Sequence, residues 1–367
     1  MNTPEVKYCP GTLSARHYTY SRTCLKRLFN GRKVDHLLPY DPPSANESTY
    51  KLFMENHLRM SISGVQEKFS VILVKNKLRL ADEREQGTYI LKPSPGAVRN
   101  SDQMPANEHL TMQIARQVFD IETAENALIF FKNGEPAYIM KRFDVRDDGS
   151  KWAVEDFASL AGRTAQTHGE RYKYLGNYSE LFELMRKYFP AYKPEAAKLF
   201  KLLVFNYLFS NGDAHFKNFS ILETPLGDSR LSPAYDLLNS RMHIDDKDFA
   251  LDDGLVPRNM PKGKVPEQFL LLAGQAGLNK KQVDTIFEKM LSNSAMVAEL
   301  IEASYLSERS KRSYFQAYQT RCKKFAAQVF FETFHANQIQ SLQVDSQPLW
   351  GRNLGPGLCH GANTHLI

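Results

Sequence analysis

The chain has 367 residues, 42% of them apolar and 24% charged, with a formal net charge of +6 and four cysteines. That is the make-up of a globular protein with room for one large or two medium domains; no run of about 18 apolar residues offers a membrane span, and nothing near the N-terminus reads as a signal peptide. Cys9, Cys24, Cys322 and Cys359 lack metal-ligand spacing and suit a reducing, cytoplasmic setting, while the mild positive charge, without a basic run, reads as a solvated surface.

Residues 1–57 read as an N-terminal extension. Ser21 caps a short basic and aromatic helix over residues 22–29, either a docking surface for a partner or a structural annex; residues 38–46 are a Pro-rich loop. Ser61-Ile62-Ser63-Gly64-Val65 is then a small-residue loop ahead of a β-branched strand, residues 69–74, and Asn76 turns the chain into residues 78–80. Such a loop can lay backbone N–H groups against phosphates; with a single glycine, a plain turn stays open. Lys68 follows the loop, and Lys92 ends a strand over residues 88–91, where Pro93 should stop the ladder. Residues 108–118 carry Leu110, Ile114, Ala115 and Val118 at helical spacing. Glu108, in the first turn, either complements the helix dipole or pairs a lysine. Residues 121–131 and 137–142 are two further strands about the turn Lys132-Asn133-Gly134, and a polar linker follows. The expected division is an N-lobe over 58–146, a helical lobe over 147–335, and a poorly ordered tail over 336–367.

The densest helical signal is residues 195–209, ended by Asn211-Gly212. Asp213-Ala214-His215-Phe216-Lys217-Asn218 comes directly after it, and Tyr235-Asp236 lies beyond a short strand at residues 219–222. A carboxylate on a rigid loop can take the proton of an incoming hydroxyl. An amide and a second carboxylate supply hard oxygen ligands for Mg²⁺. Phosphoryl transfer needs those parts, and the Asp213-x4-Asn218 spacing equals that of the protein-kinase catalytic loop. Taken alone, that spacing also suits a loop that merely caps a helix. His215 is expected to orient the loop, with general-base work open to it. Lys217 is either a contact for the γ-phosphate or a solvated charge, and the acidic stretch 245–253 reads as a solvated loop. Residues 267–331 are helical.

Six blocks stand in order: S-I-S-G-V-Q-E-K from Ser61, Y-I-L-K-P from Tyr89, N-E-H from Asn107, M-K-R-F-D from Met140, N-G-D-A-H-F-K-N from Asn211 and P-A-Y-D from Pro233. Together they resemble the HipA-like serine/threonine kinases of bacterial toxin–antitoxin systems. The resemblance implies an α+β, bilobal protein-kinase-like fold with a mixed β-sheet N-lobe and a helical C-lobe. It implies ATP and Mg²⁺, with Lys92 on the phosphates and Lys68 as the alternative cation. Glu108 would pair the lysine, and the backbone of Lys141 to Phe143 would meet adenine, with Phe143 as a packing face. Asp213 would orient and deprotonate a serine hydroxyl, and Asn218 and Asp236 would hold the metal. Ser61 and Ser63 are the implied autophosphorylation positions, and a phosphate there would repel those of ATP, giving self-inhibition. Also implied are a protein substrate of the aminoacyl-tRNA synthetase class, antitoxin partners, and DNA met only through them. Little sequence precedes Ser61, which brings the chain nearer the short HipT branch, where the N-terminal subdomain of HipA is a separate small protein. H-R-D, D-F-G and G-x-G-x-x-G are absent. A small-molecule phosphotransferase and a catalytically silent, kinase-fold binding subunit are the alternatives; the filled acid, amide and lysine positions argue against the second.

Overall fold

The computed structural model describes residues 5–45, 51, 53, 67–82, 84–96, 98–146, 148–245, 247–260 and 263–344, with backbone only for 44 and 328–344. The expectations for Ser61, Ser63, Gly64 and Val65 therefore lie outside the described residues. Met1–Phe325 form one compact unit and Ala326–Ile367 a second.

Near the N-terminus, α1 (Arg22–Phe29) starts where Ser21 Oγ accepts the Cys24 N–H and ends at Asn30 in the left-handed region. Its Leu28 and Phe29 enter a core with Phe69, Val71, Leu91 and Ile139. Those last residues belong to a five-stranded sheet of β1 (Phe69–Val74), β2 (Lys77–Leu80), β3 (Tyr89–Pro93), β4 (Asn126–Phe130) and β5 (Pro136–Lys141), in the order β2-β1-β3-β5-β4. Its ladders are antiparallel, and a parallel bridge from Leu37 to Phe130 gives the sheet its mixed character.

Strand alternation positions the site. Leu91 faces the α1 core, so its neighbour Lys92 must face the other side of the sheet. There it pairs in register with Tyr138 and lies beneath α2 (Met104–Gln117), which packs on β4 and β5. Pro93 does not stop the ladder, because it pairs with Ala137 as the last residue of β3. α2 begins before the expected Glu108, since Pro105 suits a first helical turn.

The second lobe opens with β6 (Val154–Asp156), α3 (Phe157–Leu160), α4 (Ala165–His168) and α5 (Ser179–Tyr188), then reaches the buried α6 (Tyr192–Leu208). β7 (Ser220–Glu223) pairs with β6 on one side and β8 (Ser229–Leu231) on the other as a small sheet, and α7 (Val265–Ala276), α8 (Lys280–Ser292), α9 (Ser294–Glu302) and α10 (Glu308–Val344) follow. Rings fill the centre: Phe205 stacks on Phe209 at 4.3 Å, and Phe209 on Tyr318 at 4.7 Å. This is the expected bilobal, kinase-like α+β fold.

Further boundaries differ from the sequence reading. β4 starts at Asn126 because the stretch before it is held by the other lobe: Ala124 N–H donates to Ala234 O at 2.9 Å, and Ala234 N–H to Glu122 O at 2.8 Å. The last helix runs to Val344, since residues 336–344 contain neither glycine nor proline to stop it.

Candidate active site

Four charged side chains meet between the lobes. Lys92 is 2% exposed; its Nζ donates to Glu108 Oε1 at 2.6 Å and to Asp236 Oδ1. Lys68 approaches the other oxygen of Asp236 at 3.4 Å. Burial works against both charges on Lys92 and Asp236. For Asp236 it is outweighed by Lys68 and Lys92, which hold the carboxyl well below the usual carboxylate range. Burial likewise opposes the Lys92 ammonium, but Asp236 and Glu108 hold its pKa above the ordinary lysine value. Glu108 shifts upward, because burial outweighs the attraction of Lys92.

Asn107 fixes the geometry around this group. Its Nδ2 donates to Asn239 O at 2.9 Å while its Oδ1 accepts the Asn239 N–H at 3.0 Å, and His243 Nε2 lies 2.8 Å from Nδ2. One buried amide on α2 thereby grips the backbone three residues beyond Asp236. Asp236 itself is in the left-handed region at φ 55°, a conformation that aspartate tolerates better than most residues.

The loop after α6 supplies the rest. Ser210, at φ 56°, turns the chain out of the helix, and Asp213 O accepts the His215 N–H at 2.8 Å. The same N–H donates to Asn218 Oδ1 at 3.0 Å, and Asn218 Nδ2 approaches Asp236 Oδ2 at 3.3 Å. Asn218 and Asp236 thus stand side by side. An amide oxygen with a spare lone pair and an ionised carboxylate fit a Mg²⁺ ion, which takes one or two protein oxygens and fills its shell with phosphate and water. Lys68 would have to yield Asp236 Oδ2 to such an ion.

His215 is buried and its pKa is pushed down to about 3 by burial and then by Lys173. So weak a base does not suit the general-base role left open for it; its ring instead packs edge-on against Tyr174 at 5.1 Å. Lys217 reaches Tyr172 OH at 3.4 Å and Asp156 at 3.9 Å. Phe143 lies 5.8 Å from the Tyr235 ring, at the edge of the site. Lys141 is not brought in. Its Nζ donates to Asn30 Oδ1 at 2.7 Å, and the N–H groups of Lys141 and Arg142 are bound by Glu125 O and Thr88 O at 2.8 and 2.9 Å. Those two donors serve the sheet, so the expected adenine contact cannot use them.

Lys173 and Tyr174 were not among the expected site residues, although the stretch 168–174 resembles the region in which HipA-like relatives order an activation-like loop. Tyr174 OH donates to Asp213 Oδ1 at 2.8 Å, across 39 residues of sequence. Lys173 has its pKa lowered, first by burial, with Asp213 opposing. No local pattern announces the Tyr174–Asp213 contact itself, which joins residues 39 apart in sequence.

Residues 60–298 match the family model described as the HipA-like C-terminal domain. The chain is 32% identical over 199 residues to "Putative kinase Y4mE" of Sinorhizobium fredii (strain NBRC 101917 / NGR234), covering 51% of this chain and 44% of that protein. It is 27% identical over 222 residues to the serine/threonine-protein kinase toxin HipA of Shewanella oneidensis MR-1, covering 55% and 49%. The chain spans about half the length of the curated relatives it matches. Among solved structures it is similar to a chain of the Shewanella oneidensis MR-1 complex of HipA, HipB and operator DNA, with a TM-score of 0.55 at 22% identity, over 73% of this chain and 66% of that one. At that identity the likeness is one of fold.

Proposed function

The chain belongs to the HipA-like C-terminal domain family, and on that premise we propose that it is an ATP-dependent serine/threonine protein kinase acting as the toxin of a toxin–antitoxin pair. The observation that carries the reading is the meeting of Lys92, Glu108, Asp236 and Asn218 beside the Asp213 loop. Lys92, held charged, offers a fixed cation to phosphate oxygens and is aimed by Glu108. Asp213 accepts the proton of the acceptor hydroxyl as its oxygen attacks the γ-phosphorus and the bond to the β-phosphate oxygen breaks, releasing ADP. Asn218 and Asp236 hold Mg²⁺, which when bound neutralises charge on the phosphates. Lys217, in the same loop, steadies the transferring group. Burial of the lysine and Glu108 keeps water from competing for the pair.

The finer parts of the proposal rest on the six sequence blocks. They are an aminoacyl-tRNA synthetase as substrate, self-inhibiting phosphorylation at Ser61 and Ser63, antitoxin partners through which DNA is met, and a place in the HipT branch suggested by the paired serines. A cytoplasmic setting goes with them; among the described residues no helix is long and apolar enough to cross a membrane.

Intact-mass spectrometry of phosphatase-treated protein incubated with Mg²⁺-ATP, beside Asp213→Asn, tests the reading. Phosphate gained by the wild type and absent from the variant is the expected result. Nucleotide binding without any transfer would favour the silent binding subunit, and ATP consumption that modifies no protein would favour the small-molecule phosphotransferase.

A further inference from the structure

The place where a substrate hydroxyl must sit is filled from within. Tyr174 OH donates to Asp213 Oδ1 at 2.8 Å, which is the hydrogen bond an acceptor makes before its proton is removed. The phenol is carried by a 3-10 turn, Tyr172–Tyr174, and the chain from Tyr174 onward is bonded to residues 252–254 of the second lobe. Asp252 N–H donates to Tyr174 O at 2.9 Å, Asp253 N–H to Gly176 O at 3.0 Å, and Asn177 forms a parallel bridge with Gly254. Side chains then read the segment. Arg171, three residues before the tyrosine, forms an ion pair with Asp252 Oδ1 at 3.0 Å. Tyr172 OH meets Lys217 at 3.4 Å on the other side of the loop.

In a 3-10 turn the side chains at i and i+3 share one face, so a short peptide in that turn can be held through its backbone carbonyl and the residue three before its hydroxyl while the hydroxyl meets Asp213. We propose that residues 171–174 are an internal stand-in for the protein substrate, and that the enzyme selects acceptor segments carrying a cationic side chain three residues before the hydroxyl, which Asp252 receives. This deepens the kinase reading and rests on it. The substrate must displace Tyr174 from Asp213, so the phenol competes with it. The acidic stretch 245–253 acquires a division of labour: Asp248 is held by Arg241 and Arg321, Asp253 by Arg258, and Asp252 faces the acceptor segment.

The test uses labelled serine peptides of one sequence with Arg, Ala or Glu three residues before the serine. Affinity is measured by fluorescence anisotropy on the full chain with Mg²⁺-ADP, and phosphate incorporation with Mg²⁺-ATP. A partly exposed ion pair predicts that the Arg peptide binds up to about fivefold tighter than the Ala peptide, and the Glu peptide weakest. Asp252→Asn should make the three equal. Tyr174→Phe should bind every peptide more tightly and raise kcat/KM several-fold. Equal affinities in the wild type, a preference that survives Asp252→Asn, or a Tyr174→Phe enzyme no better than wild type would each overturn the proposal. An Arg preference in binding with no phosphate entering any peptide or the protein itself would sustain the docking surface and sink the kinase reading instead.

Discussion

Replacing Lys92 with methionine keeps the length of the side chain and its packing against Tyr138, whose ring centroid lies 5.2 Å from Nζ, and removes the charge. Glu108, 1% exposed, then keeps its carboxylate without its 2.6 Å partner. Taking one member from a buried ion pair costs about 3–5 kcal/mol, because the remaining charge is desolvated and uncompensated. Asp236 suffers less, since Lys68 stays near it at 3.4 Å. Glu108 can escape by taking a proton, toward which burial already pushes it. A carboxyl whose folded pKa lies above its unfolded value binds more protons folded than unfolded, so stability falls as pH rises through that interval. Lys92→Met should therefore lose about 3–5 kcal/mol at pH 8 and roughly half that at pH 5. Urea unfolding at the two pH values measures it, with phosphotransfer reduced at both. A variant as stable as wild type at pH 8, or one hurt more at pH 5 than at pH 8, would refute the account of the buried pair.

Asn107→Ala removes both bonds to the Asn239 backbone and leaves buried groups unpaired, which should cost about 2–4 kcal/mol; a raised Kd for Mg²⁺-ATP should accompany the lowered melting temperature, and unchanged nucleotide affinity would mean Asp236 does not depend on the clamp. Asp213→Asn should lower kcat by about 10²–10⁴-fold with the melting temperature almost unmoved; a loss below tenfold would remove Asp213 from the proton-transfer role. His109, buried and bonded to Gly11 O at 3.3 Å, has its pKa pushed down to about 4. The unfolded chain binds that proton more readily, so stability held above about pH 6.5 is lost as pH falls below it. His109→Gln should flatten the fall between pH 6.5 and pH 5 by up to about 2 kcal/mol in urea titrations, and an unaltered slope would show that the ring does not titrate as described.

Elements with a strong local signal were legible. The Ser21 cap, the dense apolar run of α6, the β1–β2 hairpin and the Asp213 loop each follow from residues adjacent in sequence. What stayed hidden depends on distance along the chain. A lysine at a strand end is usually a surface charge, and nothing near Lys92 says that α2 and Asp236, 144 residues on, enclose it. The choice for Glu108 between dipole and lysine needed the same three-dimensional answer. The motif N-E-H shows the point residue by residue: Asn107 holds the Asn239 backbone, Glu108 holds Lys92, and His109 holds Gly11 of the N-terminal extension. Periodicity marked only a helix there. For the stretch before β4 the sequence pattern was a fair strand, but its partner, Ala234, belongs to the other lobe.

The attachments of α2 carry a mechanical consequence. Asn107 is bolted to Asn239, Thr111 Oγ1 lies 2.7 Å from Tyr314 OH, and Gln103 Oε1 accepts the Ser307 N–H at 2.8 Å. α2 is thus fastened on both sides: it packs on β4 and β5 and holds Gly11 through His109, while Asn107, Thr111 and Gln103 reach the helical lobe, and the spacing between Glu108 and Asp236 is set by both. Lys92 enters that arrangement from β3, which holds it in register with Tyr138 of β5. A single ammonium therefore joins a carboxylate of the sheet-packed helix to one of the helical lobe, and without it the two acidic groups would face each other across the cleft.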